Sequence, residues 1–265
     1  MRTVAFLNQK GGVGKTTSVV NIGAILANEF GKKVLLVDID PQGNMTDHLG
    51  INPMELEKSI YDIIVESAAP EEIVKTAHGL DFIPSGLDLC GAEVQLATMN
   101  VRETRLRNAM RGFCQKYDVV LIDCPPSLGL LTLSALVLAT EVVVPMQAEY
   151  LALRGLTQLM NTVELVRTNF NPKLAISGVL FCQYNAQTKL SQEVLDEVRE
   201  HFGDRVYRTV IRRNVKLAES SSHGVPTIAY DASCAGVQDY RAVAEEFMTH
   251  LPVERGAAGA GESGQ

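Results

Sequence analysis

What the chain lacks narrows it first. No stretch of about 18 uncharged apolar residues, the length a membrane-spanning helix needs, occurs anywhere in the sequence. Met1-Arg2-Thr3 leads into a strand-like run rather than an export signal, so a cytosolic protein is expected. The five cysteines, Cys90, Cys114, Cys124, Cys182 and Cys234, are scattered without any C-x-x-C spacing. That pattern supports neither a disulfide framework nor a zinc site. Excess positive charge is missing too: 24 Lys and Arg face 31 Asp and Glu, for a net charge of −7, which argues against a surface that is basic all over. No internal repeat is apparent. What remains is 265 residues with 46% hydrophobic content, enough to bury a full core, and α/β chains of this length commonly form one domain.

The chain is organised around Lys10-Gly11-Gly12-Val13-Gly14-Lys15-Thr16-Thr17, between the apolar run Val4 to Leu7 and a helix-like run from Ser18. A glycine-rich turn that ends a strand and opens a helix is a phosphate cradle. Glycines let the backbone approach the phosphates, and the helix N-terminus adds unpaired N–H donors and partial positive charge. Lys15 can reach the β- and γ-phosphates, and the Thr16 hydroxyl can ligate Mg²⁺. The first glycine of the ordinary G-x-x-x-x-G-K-[ST] pattern falls on Gln9, and a second lysine, Lys10, follows it.

Strands and helices alternate along the chain. Strands are expected at Arg2 to Asn8, Lys33 to Asp38, Asp81 to Pro84, Asp118 to Asp123, Glu141 to Met146, Ala175 to Cys182 and Val206 to Ile211. Helices are expected at Val19 to Phe30, Thr98 to Lys116, Ala152 to Thr168, Ser191 to Phe202, Val215 to Ser222 and Val237 to Leu251, with helical fragments near Ser59 to Glu66 and Pro70 to Thr76. Near-continuous apolar runs such as Val34-Leu35-Leu36-Val37 suit parallel strands buried on both faces. The expected fold is α/β: a single doubly wound, mainly parallel sheet flanked by helices on both faces. Residues 1–251 form its one domain, and the small, polar stretch 252–265 reads as a disordered tail.

In open α/β sheets, ligands sit outside the carboxyl ends of the strands. Two strands end in aspartate there, one at Asp38-Ile39-Asp40-Pro41-Gln42-Gly43-Asn44 and one at Asp123-Cys124-Pro125-Pro126-Ser127. An apolar strand followed by Asp is the arrangement in which a carboxylate orients water on Mg²⁺. One such Asp alone reads more readily as a cap or turn; two beside the cradle reverse that and point to a site for ATP and Mg²⁺. The proline pair Pro125-Pro126 fixes a loop that can respond to the γ-phosphate or serve as a rigid turn.

Lys10 to Thr16 resembles the deviant Walker A motif of the ParA/MinD family of P-loop ATPases. DIDPQGN resembles that family's Walker A′ element, and DCPPS its Walker B and switch II. The resemblance implies that Lys10 reaches across a dimer to the partner's nucleotide, that Asp40 activates the attacking water, that Asp38 supports the Mg²⁺ shell, and that Asp123 holds a magnesium-bound water. PMQAEYLALRGL (145–156) resembles P-x-Q-x-E-Y-x-x-L-x-G-L, with Arg154 where glutamate is expected. RRNVKLAE (212–219) resembles P-R-N-V-R-L-S-E, with Arg212 where proline is expected. This implies Asn214 as a base contact with Arg212 beside it. The resemblance covers about residues 2 to 251.

Between Arg205 and Ala218 the sequence holds Arg205, Arg208, Arg212, Arg213 and Lys216 and no acid, a basic patch on an acidic protein. With Lys189 it is the candidate surface for non-specific double-stranded DNA; the bland alternative is a solvated face or ion pairs with Glu193, Glu197 and Glu200. The function implied is a ParA/Soj-type partitioning ATPase: a homodimer when ATP-bound, nucleoid-associated in the cytoplasm, and released from DNA when a ParB-like or other cargo-bound partner stimulates hydrolysis. A MinD-type membrane switch needs a basic, amphipathic C-terminal helix that 252–265 does not offer, so no membrane partner is expected. A metal-cluster reductase needs two cysteines per subunit, and only Cys124 is suitably placed. No helix-turn-helix segment precedes the first strand, so operator-specific repression is not expected.

Overall fold

A computed structural model describes residues 1–149 and 152–249; the expected tail at 252–265 lies outside the described residues. Seven strands form one sheet: β1 (Arg2–Phe6), β2 (Val34–Asp38), β3 (Lys75–Ala77), β4 (Leu80–Ile83), β5 (Val119–Asp123), β6 (Glu141–Met146) and β7 (Ala175–Phe181). Their spatial order is β3-β4-β2-β5-β1-β6-β7. All pairs are parallel except β3 with β4, which run antiparallel at one edge.

The helices are α1 (Lys15–Asn28), α2 (Asn44–His48), α3 (Leu89–Thr98), α4 (Arg105–Cys114), α5 (Leu130–Leu138), α6 (Ala152–Asn169), α7 (Lys189–Phe202), α8 (Val215–Ser222), α9 (Thr227–Tyr230) and α10 (Ala235–Thr249). Side chains alternate across the sheet, and β1 divides the core accordingly. Val4 and Phe6 join Ile22, Ile25, Tyr240 and Phe247 from α1 and α10; Ala5 and Leu7 join Leu96, Met110, Leu136 and Val163 from α3 to α6. On β7, Gly178 is required by packing: a Cβ there would lie 2.3 Å from Cε2 of Tyr207. The glycine makes room for a fully buried ring.

Two expectations are corrected. The helix expected over Thr98 to Lys116 is shorter, α4 alone from Arg105 to Cys114: a separate helix that was not expected, α3, ends at Thr98, and Val101 takes a positive φ of 50° between them. The segment Val206 to Ile211 is not a strand of the sheet: it follows β7 at its two ends and bends between them at Arg208 and Thr209. Tyr207 N donates to the Val179 carbonyl at 3.0 Å and Ile211 N to the Phe181 carbonyl at 2.8 Å, while between them the backbone N–H groups of Arg208 and Thr209 donate to the Glu246 carboxylate of α10, each at 2.8 Å. A side chain has taken the donors in the middle of the run, where a continuous ladder would need one of them.

Candidate nucleotide and magnesium site

β1, β2 and β5 are adjacent, so their carboxyl ends gather the loop at 10–14, the Asp38–Asp40 turn and Asp123 in one place. Gly12 and Gly14 adopt positive φ, +71° and +95°, a conformation that glycine reaches without a Cβ penalty. Gly14 is the N-cap of α1, with no side-chain cap, so the helix start keeps N–H donors for an anion. Lys15 is buried, and its Nζ donates to the Lys10 carbonyl at 3.2 Å. Burial pushes its pKa down, and the charges of Asp123 and Asp40 oppose that shift.

Asp123 is fully buried. Its Oδ2 accepts from the Thr16 hydroxyl at 2.6 Å, and its Oδ1 has no hydrogen-bond partner among the described residues. Desolvation holds the Asp123 pKa well above the usual carboxylate range, with the charge of Asp38 adding to the rise. An orphaned buried oxygen beside a hydroxyl is a costly arrangement unless something completes it. Both are hard oxygen donors, and Mg²⁺ usually takes one or two carboxylates plus substrate phosphates and waters. Thr16 and Asp123 therefore fit a nucleotide-bound Mg²⁺.

Asp38 is also fully buried but differently employed. Its Oδ2 accepts from the backbone N–H and hydroxyl of Thr46 at 2.9 and 2.8 Å, and its Oδ1 from Asp40 N at 3.1 Å. The Thr46 hydroxyl accepts from Ser85 N at 2.9 Å, and the Ser85 hydroxyl donates to the Asp40 carbonyl at 2.7 Å. Asp38, Thr46, Ser85 and the Asp40 backbone thus close a buried ring that pins the Asp40 turn. Thr46 and Ser85 escaped the sequence reading because their partners lie 8 and 45 residues away, and no local motif marks them.

Lys10 is exposed and turned to its own protomer's β6 end, donating to Gln147 Oε1 at 3.3 Å and pairing with Glu149. Cys124 is fully buried, and its burial pushes the thiol pKa up. It therefore does not present a thiolate at a surface that two copies could share.

Residues 1–176 match a family model described as an AAA domain. Among curated relatives, the sporulation initiation inhibitor protein Soj of Bacillus subtilis (strain 168) is 51% identical over 251 residues, covering 94% of this chain and 99% of that protein. The chromosome partitioning protein ParA of Caulobacter vibrioides (strain NA1000 / CB15N) is 46% identical over 253 residues, covering 94% of each. The chain belongs to the Soj/ParA family. Its members include proteins named as chromosome-partitioning ATPases. A solved structure described as cobyrinic acid a,c-diamide synthase from Mycobacterium smegmatis, with a bound ATP analog and magnesium, superimposes with a TM-score of 0.81 at 37% identity, covering 94% of this chain and 95% of that one.

On this Soj/ParA chain the residues expected on the base side, and the basic residues, are placed as follows. Asn214 is the N-cap of α8, its side chain accepting from Lys216 N at 2.8 Å. Arg212 is held by the largely buried Asp239, which it meets through Nε at 3.0 Å and Nη2 at 2.7 Å. Lys216 pairs with Glu219 at 2.8 Å and Lys189 with Glu193 at 3.5 Å. Arg205, Arg208 and Arg213 have no carboxylate partner among the described residues. The basic stretch is thus divided between residues engaged within the fold and arginines whose charge is unspent. Among the described residues no helix is long and apolar enough to cross a membrane.

Proposed function

We propose that this chain binds ATP with Mg²⁺ at the site described, that ATP closes two copies into a symmetric dimer with both nucleotides at the interface, and that the dimer binds double-stranded DNA without sequence preference. A ParB-like or other cargo-bound partner stimulates slow hydrolysis, and the protein leaves DNA. It acts in the cytoplasm on the nucleoid, moving a chromosome, plasmid or other cargo. The observation that carries this reading is the convergence of Lys15, the Thr16–Asp123 pair and the pinned Asp40 turn on one glycine-rich loop.

The loop N–H groups of Gly11 to Thr17 bind the phosphates, and Lys15 neutralises charge that develops on them. Bound Mg²⁺ supplies Lewis-acid stabilisation of the phosphoryl oxygens. Thr16 and Asp123 would hold it, with Asp38 supporting them by fixing the turn beside the site. Asp40 orients the attacking water. Its own position is defended: Oδ1 accepts from Gln42 N at 3.0 Å, and its backbone is held by Ser85. Lys10, supplied from the partner copy, adds a positive charge to the γ-phosphate only in the closed dimer, as an arginine finger in trans does. Asn214, with Arg212 beside it, lies on the base side.

The test is phosphate release with Mg²⁺ and ATP. Lys15→Ala should lose nucleotide binding. Asp40→Ala should bind ATP and lose turnover by about 10² to 10⁴-fold, the usual contribution of a group that handles the nucleophile. Full turnover by Asp40→Ala would remove the role assigned to it.

A further inference from the structure

The carbonyl of Gly12 is gripped from outside the loop. Gln183 Nε2 donates to it at 2.7 Å and Gln147 Nε2 at 3.2 Å. The two amides come from different places: Gln147 follows β6 and Gln183 follows β7, and the segments are tied by Cys182 N donating to the Met146 carbonyl at 2.8 Å. Neither amide is there by accident of a flexible chain. Gln183 holds a φ of +52°, a left-handed conformation rare for a residue with a Cβ, and such strain persists where surroundings over-determine it. Cys182, just before it, packs on the loop as well, since a Cβ on Gly14 would lie 3.2 Å from Cys182 Cβ. Gln147 is oriented at both ends: its Oε1 accepts from Lys10 Nζ while its Nε2 faces Gly12.

A peptide unit is planar and trans, so the carbonyl of one residue and the N–H of the next point in opposite directions. Pulling the Gly12 oxygen toward Gln147 and Gln183 turns the Val13 N–H the other way. Gly12 itself imposes little, because a glycine at φ +71° can rotate through alternatives closed to other residues. Something outside the loop must choose the peptide's orientation.

We infer that Gln147 and Gln183 are positioning residues that hold the Gly12 carbonyl outward, so that the Val13 N–H is presented to the β-phosphate of a bound nucleoside di- or triphosphate. The inference rests on the nucleotide reading of the loop. Gln183 works independently of Lys10, whereas Gln147 is coupled to it: when Lys10 leaves for a partner's nucleotide, Gln147 loses the donor that fixes its amide. The grip thereby has one constant half and one half that reports where Lys10 is.

The experiment compares Mg-ADP and AMP affinities by calorimetry for wild type, Gln183→Gly, Gln183→Glu and the double variant Gln147→Met with Gln183→Gly. AMP has no β-phosphate and serves as the control. Gln183→Gly removes the amide and also relieves the left-handed strain, so its melting temperature should equal or exceed that of wild type. ADP affinity should nevertheless fall by about 2- to 10-fold, the value of one ordinary hydrogen bond, and AMP affinity should stay unchanged. The double variant should fall further, and Gln183→Glu should fall at least as far as Gln183→Gly, because a carboxylate repels the carbonyl it faces. A purely structural role would move melting temperature, or AMP and ADP together. Wild-type affinity for ADP in both Gln183→Gly and the double variant overturns the inference. Failure of wild type to bind ADP overturns the nucleotide reading along with it.

Discussion

Asp38 and Asp123 are register partners on the adjacent parallel strands β2 and β5, both fully buried, with their side chains in opposite states of satisfaction. Every oxygen of Asp38 is occupied by Thr46 and Asp40, while Asp123 keeps Oδ1 free of partners among the described residues. Neighbouring buried carboxylates raise each other's pKa. Burial lifts Asp38 to about 7 and holds Asp123 above its usual range. The asymmetry separates their work: Asp38 organises the turn, and Asp123 has the oxygen to offer.

Removing the metal should therefore act through Asp123. In wild type, EDTA should weaken binding of a non-hydrolysable ATP analogue by about tenfold or more, since the cation offsets phosphate charge in a partly desolvated site. In Asp123→Asn the analogue should bind nearly alike with and without Mg²⁺. Equal Mg²⁺ sensitivity in the two proteins, measured by equilibrium titration, would take Asp123 out of the metal site.

Lys10 sets the second prediction. Its pair with Glu149 is more than half exposed on both sides, and exposed pairs contribute about 0 to 1 kcal/mol. Letting go of Glu149 is cheap, so the lysine is available to a second copy. Light scattering of Asp40→Ala with ATP should give twice the mass of the nucleotide-free protein, and adding Lys10→Ala should return it to the single mass. Gly12→Val should also block closure. It is the less clean variant, because at φ +71° any side chain strains the backbone by roughly 1 to 2 kcal/mol. A dimer that forms without Lys10 would remove the lysine from the interface.

The basic stretch gives a ranked prediction. Arg213 carries unspent charge, whereas Lys216 shares its charge with Glu219 and lies 5.6 Å above the Tyr230 ring. Arg213→Glu should lower ATP-dependent retention on arbitrary duplex DNA more than Lys216→Glu does, and the two together should abolish it with dimer mass intact. Each lost phosphate contact should flatten the log–log salt dependence by about 0.9. Arg205 and Arg208 should behave as Arg213 does, and Lys189, paired with Glu193, as Lys216 does. Retention that ignores both salt and these changes would place the DNA surface elsewhere, or nowhere.

The parts of the site that are contiguous in sequence were legible there: the loop at 10–17, the two aspartate-ended strands, and the sheet they imply. What escaped was fixed by distance or by uniformity. Helix α5, Leu130–Leu138, is apolar nearly throughout and so has no polar face for periodicity to detect. The edge strand β3 is three residues long, too short to show alternation. Val206 to Ile211 has strand-like composition, yet Glu246 from α10 takes the N–H groups of Arg208 and Thr209 in its middle. Thr46, Ser85 and Gln183 are ordinary polar residues until the fold sets them against Asp38, Asp40 and Gly12. Gln147 and Glu149 stood inside a recognisable motif, but only the geometry assigns what they hold.

His48 yields the remaining prediction. It sits in α2, two residues after Thr46, and is almost completely buried with Nε2 unpartnered among the described residues. Burial drives its pKa down to about 4, with a backbone hydrogen bond at Val225 opposing and the nearby charge of His78 assisting the shift. His78 is itself engaged with the Gly224 carbonyl at 3.1 Å, so the two rings flank the loop at 224–225 where it meets α2. In the unfolded chain His48 titrates near its ordinary value of about 6.5. Between about pH 6.5 and pH 4 the unfolded state therefore binds a proton that the native state refuses. Stability is fully present above pH 6.5 and declines as pH falls, by about 3 kcal/mol across the whole interval. Carboxylate titration adds its own slope over the same range, so the decisive quantity is a difference between proteins. Thermal melting of wild type should drop more steeply from pH 7 to pH 4.5 than that of His48→Gln, which cannot take up the proton. The Asp40 turn should loosen with it, since Thr46 on the same short helix is what holds Asp38: turnover in wild type should fall below pH 6 ahead of global unfolding. Parallel melting curves for the two proteins across that range would mean that His48 carries no proton-linked stability.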